Sequence, residues 1–242
     1  SFDKTGIHYA EQGKGFPVLL IHGFTGKGND WKSLGLYDQL VNQGFRVITV
    51  DLRGNGQSDK PHDTAAYTND AEAKDLMGLL KFLRVKKYAA VGYSRGSIIL
   101  ARLLVLDKRL RAAVMGGMGA DFTNPLWPRR LAFYQGLLSD TTPGLENFYA
   151  RIRENNMDRL ALAYQQYGQP STSHEALGKI KIPVLVVCGV EDFDNGNGRE
   201  LTALIPTAKF AEVPGTHGSA WRTPEFSATT LAFLQQQRDS RH

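Results

Sequence analysis

The chain has 242 residues, 42% of them apolar, enough for one sizeable core with room for a small insertion. No run of 18 apolar residues occurs, and no basic segment followed by an apolar stretch opens the chain, so neither a membrane span nor a secretory leader is expected. The single cysteine, Cys188, excludes an internal disulfide and a cysteine-based metal cluster and suits a cytoplasmic protein. The chain opens on Ser1 rather than Met, which leaves a processed N-terminus open. The net charge of +5 is locally concentrated: residues 81–111 hold nine Lys/Arg against one acid, Asp107. These cations have no interleaved aromatics, so they read as a solvated face and no nucleic-acid partner is expected.

Taken in order, Phe2 to Glu11 reads as an opening strand or hairpin, with a turn at Gly13 to Gly15. Pro17 to Ile21 is a wholly apolar strand of the type buried on both faces of a parallel sheet. It runs into His22-Gly23-Phe24-Thr25-Gly26. A helix over Leu34 to Gln43 closes at Gly44. Phe45 to Val50 is the next buried strand, followed by a loop from Asp51 to Ser58. Ala71 to Leu83 has helical spacing, with Leu76, Leu79, Leu80 and Leu83 on one face. A short strand, Tyr88 to Gly92, precedes an apolar helix from Ser97 to Leu106, and Ala112 to Met115 is a further strand.

The rhythm of strand and helix predicts an α/β protein with a mostly parallel, doubly wound sheet. It breaks after Gly119. From 120 to 180 there are helical stretches, no convincing strand, and many aromatics. This reads as a helical cap inserted into a core formed by 1–119 and 181–242. A cap over a ligand site needs an apolar lining, which makes Phe122, Trp127 and Phe133, together with Phe24 and Tyr93, candidates for substrate contact. The pattern resumes with a strand over Ile182 to Cys188, ending in Gly189-Val190-Glu191-Asp192. A last strand, Lys209 to Val213, ends in Pro214-Gly215-Thr216-His217. A helix from Pro224 to Gln237 closes the chain.

The stretch with the most chemical content is Gly92-Tyr93-Ser94-Arg95-Gly96. The turn between strand and helix is too tight for side chains at its flanks, so both are Gly, and the serine hydroxyl is left exposed at a helix N-terminus. A serine after one strand, an acid after a later one and a histidine after the last follow the order found in α/β-hydrolases. With the His22-Gly23 loop and Asp51-Leu52-Arg53-Gly54-Asn55-Gly56-Gln57-Ser58, nearly the whole chain resembles that superfamily. The resemblance is to its esterase and peroxidase-like branch with a small helical cap.

The resemblance implies Ser94 as nucleophile, His217 as general base and Asp192 as the acid that orients the imidazole. Backbone amides of Phe24 and Arg95 would hold the oxyanion. Glu191, Asp194 and Asp121 remain rivals to Asp192. His22 and Gly23 fit a role in shaping the oxyanion loop, and Asp51, Arg53 and Ser58 a role in tying down their own loop. Three departures from the family pattern stand out. Arg95 sits beside the serine, either pairing with a buried acid or biasing the pocket toward an anionic substrate. The histidine loop is one residue shorter than usual, and Asn55 replaces a more usual aromatic or His.

The expected activity is cleavage of a small to medium carboxylic ester through an acyl-enzyme. Thioester, carbon–carbon bond or perhydrolysis chemistry on the same triad, and a slow-turnover ligand receptor, are the alternatives. Epoxide hydrolases and dehalogenases of this fold carry a carboxylate where Ser94 stands. The chemistry calls for no cofactor and no metal, and the expected partner is a small acyl substrate. Oligomeric state is left open.

Overall fold

In this computed structural model, residues 1–33, 35–139 and 144–239 are described. Alternation of side chains along the strands builds two core layers. In β2 (Pro17–Ile21), Leu19 and Ile21 face one layer while Val18 and Leu20 face the other. In β3 (Arg46–Val50), Ile48 and Val50 oppose Val47 in the same way. Both faces are therefore apolar, and helices cover each.

The seven-stranded sheet has the order β1-β3-β2-β4-β5-β6-β7. Its other strands are β1 (Tyr9–Gln12), β4 (Tyr88–Tyr93), β5 (Leu110–Gly116), β6 (Val184–Gly189) and β7 (Ala208–Val213). All neighbours run parallel except β1, which pairs antiparallel with β3. The expected opening strand is thus confined to a short edge strand, and it pairs with β3 rather than forming a hairpin with β2.

Leu36, Tyr37 and Leu40 of α1 (Gly35–Asn42) join Phe226, Phe233 and Leu234 of α9 (Pro224–Asp239) on one face. The expected start of α1 at Leu34 lies outside the described residues. On the other face pack α2 (Ala71–Phe82), α3 (Arg95–Leu106), α7 (His174–Gly178) and α8 (Gly198–Leu204). The sequence reading did not anticipate α8, a short helix whose start is capped by Asn197 accepting from Arg199 N.

Between β5 and β6 the chain leaves the sheet for α4 (Pro128–Ser139), α5 (Glu146–Glu154), α6 (Arg159–Tyr167) and then α7. Leu137, Tyr149, Ile152, Leu162 and Ala163 form a third, smaller core among α4, α5 and α6. Phe24, from the loop after β2, packs into it.

Candidate active site

The site begins with backbone geometry. Ser94 links β4 to α3 at φ 53°, ψ −124°, a strained conformation for a residue with a side chain. A Cβ on Gly92 would lie 2.5 Å from Gly96 O, and one on Gly96 would lie 2.3 Å from Ile21 O. Both glycines are therefore demanded by backbone contact. Ser97 Oγ secures the turn by donating toward the carbonyls of Gly92 (3.0 Å) and Gly116 (2.9 Å). The helix starts at Arg95, two residues before its apolar run, and Arg95 itself is buried.

Ser94 Oγ lies 2.9 Å from His217 Nε2. On the far side of the ring, Nδ1 is 3.0 Å from both carboxylate oxygens of Asp192. An Nδ1–H donating to the carboxylate leaves the Nε2 lone pair to accept the serine hydroxyl. Of the rival acids, Asp194 pairs with Arg129 at 3.2 Å, and Asp121 sits against Gly196. Glu191 is exposed. Despite its shortened loop, His217 reaches the serine.

Two features that sequence reasoning missed hold the imidazole. Tyr93 Oη donates to His217 O at 2.7 Å, and its ring lies 5.5 Å from the imidazole and stacks on Trp221. Burial, then the Asp192 charge, pushes the Tyr93 phenol well above its usual pKa, so it remains a donor. Asn195 Nδ2 donates to Gly117 O at 3.0 Å and is 3.3 and 3.5 Å from the two ring nitrogens, a position over the ring face. Asn195 stands three residues beyond Asp192 in no motif, so only the fold reveals it.

Across from the serine, a Cβ on Gly23 would be only 3.4 Å from Ser94 Cβ. Phe24 N makes no hydrogen bond to the described residues, and Arg95 N, in the first turn of α3, has no intrahelical acceptor. Both are free to bind an anionic oxygen. His22 shapes this loop: its Nδ1 donates to Gly23 O at 2.6 Å, and its Nε2 accepts from Leu52 N at 3.0 Å. Complete burial lowers its pKa, so the ring is a neutral strut.

Asn55 has a clear structural part. Its Nδ2 donates to Phe24 O at 2.8 Å, while its Oδ1 accepts from Gln165 Nε2 of α6. It ties the loop after β2 to the helical segment above. Arg95 faces away from solvent in a bidentate pair with Glu72, both contacts 2.6 Å, and also donates to Gln165 O at 3.1 Å. Of the two roles open to Arg95, pairing with a buried acid is the one observed. Asp51 and Ser58 do secure their own loop, through Gln57 N and Asp51 O. Arg53 instead reaches out of it, to Asp75 on α2 and to Asp3.

These groups open into a cleft of about 440 Å³ lined by Phe24, Trp127, Phe133, Phe148 and Trp221, among others. Tyr93 also borders it, although its hydroxyl is spent on His217. Phe122 does not line the cleft: it is 1% exposed within the main core beside Met118 and Trp127.

The doubly wound sheet, the glycine-flanked turn and the serine–histidine–aspartate chain define a protein of hydrolase architecture. The chain belongs to the α/β-hydrolase fold family, whose model matches residues 17–148. Over 97% of its length it is 28% identical to a non-heme chloroperoxidase of Kitasatospora aureofaciens, covering 98% of that protein. It is 40% identical to epoxide hydrolase 3 of Siraitia grosvenorii over 93 residues, 38% of this chain and 29% of that protein. The first curated relatives are matched over about a third of their length or less. Among solved structures, an esterase of Exiguobacterium antarcticum superposes with a TM-score of 0.80 at 19% identity, covering 96% of this chain and 97% of that one.

Proposed function

We propose that the protein is a serine hydrolase that cleaves small to medium carboxylic esters through an acyl-enzyme. The observation that carries this reading is the continuous hydrogen-bonded chain from Asp192 through His217 to Ser94, at the base of an aromatic-lined cleft. His217 takes the proton as Ser94 Oγ adds to the carbonyl carbon, and Asp192 stabilises the imidazolium that forms. The amides of Phe24 and Arg95 receive the developing oxyanion, each such donor being worth about 3 kcal/mol. The imidazolium then protonates the departing alkoxide. A water, deprotonated by the same ring, hydrolyses the acyl-serine and regenerates the enzyme. Phe24, Trp127 and Phe133 contact the acyl or alcohol portion, and the helices of 120–180 serve as the cap.

The epoxide hydrolase resemblance does not carry its activity over. A carboxylate that opens an epoxide leaves an ester that water can cleave, whereas Ser94 would leave a stable ether and stop after one turn. The near full-length resemblance to a chloroperoxidase supports one second reading, perhydrolysis, in which hydrogen peroxide rather than water attacks the acyl-serine and releases a peracid.

Hydrolysis of p-nitrophenyl esters from acetate to decanoate, by wild type and by Ser94→Ala, tests the proposal. Loss of about a thousandfold or more in kcat, with the fold intact, is expected. Wild-type rates equal to those of the mutant on every ester would overturn it. Peracid formation from ethyl acetate and peroxide, abolished by the same substitution, would identify the second reading.

A further inference from the structure

The cleft has an unusual charge balance. Besides the paired Arg95, its walls carry Arg129, Arg130, Arg151 and Arg222 against only Asp30 and Asp194. Arg129 is matched by Asp194. The other three have no carboxylate partner among the described residues. Arg222 lies over the Trp221 ring at 4.9 Å, and Arg151 is exposed on α5.

Arg130 is the most informative of the three. Its guanidinium donates to backbone carbonyls only, those of Pro125 (2.6 Å), Tyr167 (3.1 Å) and Gln166 (3.2 Å). Its Nε is buried with no hydrogen-bond partner. Desolvation without a compensating anion lowers its pKa from the ordinary arginine value. Arg129 and Arg130 also occupy the first turn of α4, which contains no acid. Cations are disfavoured at a helix N-terminus, a cost that Arg129 offsets with Asp194 and Arg130 only with neutral carbonyls. The same helix end and the same guanidinium groups favour one thing in common, an anion within the cleft.

We infer that the cleft contains an anion subsite formed by Arg130, Arg151 and Arg222, and that the substrate is an ester bearing a free carboxylate, such as a dicarboxylic acid half-ester. The inference deepens the esterase reading and rests on it for the reaction. The subsite itself rests on the arginines alone. The aromatic walls take the carbon skeleton, while the carboxylate replaces the missing counter-ion at Arg130. Arg95 contributes nothing to this preference, its charge being neutralised by Glu72 behind the serine.

Two measurements separate the parts. The first is calorimetric binding of succinate and glutarate to wild type, Arg130→Met, Arg151→Met and Arg130→Lys. Binding should weaken by about tenfold or more on losing either charge, persist better in the lysine variant, and weaken with added salt. The second is the ratio of kcat/KM for monomethyl succinate to that for dimethyl succinate, followed by proton release. Wild type should favour the half-ester by about tenfold, chiefly through KM, and the ratio should fall toward one in Arg130→Met and in Arg151→Met. Because Arg130 also braces three carbonyls, the exposed Arg151 supplies the variant least prone to misfolding. Equal turnover of both esters with no dicarboxylate binding overturns the anion subsite and leaves the esterase standing. Dicarboxylate binding that needs the arginines, without Ser94-dependent turnover of any ester, supports the subsite and overturns the esterase.

Discussion

The floor of the cleft and its helical roof are built on opposite principles. The floor is made of loops at the carboxyl ends of β2, β4, β6 and β7, anchored in a sheet whose inner strands, β2 to β6, are almost entirely buried. The side chains that build the serine's surroundings are paired there: His217 has Asp192 and Ser94, Tyr93 has the His217 carbonyl, and His22 has Gly23 and Leu52, while the amides of Phe24 and Arg95 stay open. The roof encloses a core of few buried side chains, exposes Leu126, Leu138 and Tyr167, and leaves arginines without carboxylates. A strained serine needs the first kind of region to hold it. In the proposed reading the floor sets the chemistry and the roof sets what is admitted.

The largest expected effect strikes the floor. Asp192→Asn should leave the fold and the binding of ester intact while lowering kcat by about 10⁴-fold, since the amide favours the wrong imidazole tautomer. Steady-state kinetics of this variant beside Asp194→Asn gives the contrast. Asp194 pairs with Arg129, so its loss should act on KM and spare kcat. A large fall in kcat for Asp194→Asn, with little for Asp192→Asn, would reverse the assignment of the acid.

The same division governs what the sequence could tell. The floor was legible because backbone contact dictates residue type: Gly92 and Gly96 face carbonyl oxygens at distances no side chain tolerates, and buried strands must be apolar throughout. Ser94 and His217 stand at strand ends in the order of the superfamily the chain resembles, whereas Asp192 shares its strand end with Glu191 and Asp194, and only the contact with His217 singles it out. The roof was legible only as helix. Phe122, expected to touch substrate, fills the core instead, because an aromatic near an insertion boundary carries no mark of which side it faces. The supports were hidden for another reason. Asn55 with Gln165, Arg95 with Glu72, and Asn195 with Gly117 span 23 to 110 residues of sequence, and single polar residues announce no such pairing.

The Arg95–Glu72 pair is where floor and roof meet, since Arg95 also donates to Gln165 of α6. Glu72→Ala would leave a guanidinium buried and uncompensated behind the nucleophile. Chemical denaturation should show a loss of about 3–5 kcal/mol. The double variant Glu72→Leu/Arg95→Met, which removes both charges, should recover most of it. If Glu72→Ala alone costs under about 1 kcal/mol, water reaches the pair and the two regions are less tightly joined than their contacts imply.

The smallest effect is the sharpest test of how rigid the floor must be. Tyr93→Phe keeps the ring stacked on Trp221 and against His217 but deletes the hydroxyl that donates to the His217 carbonyl. A hydrogen bond of this kind is worth about 1 kcal/mol, so the thermal midpoint should fall by a few degrees. Its kinetic signature distinguishes positioning from substrate contact. If Tyr93 acts by holding the histidine loop, kcat falls a few-fold while KM and the half-ester preference stay put. Should KM change instead, the tyrosine belongs with the lining of the cleft, and the boundary between floor and roof lies one side chain higher than its hydrogen bonds place it.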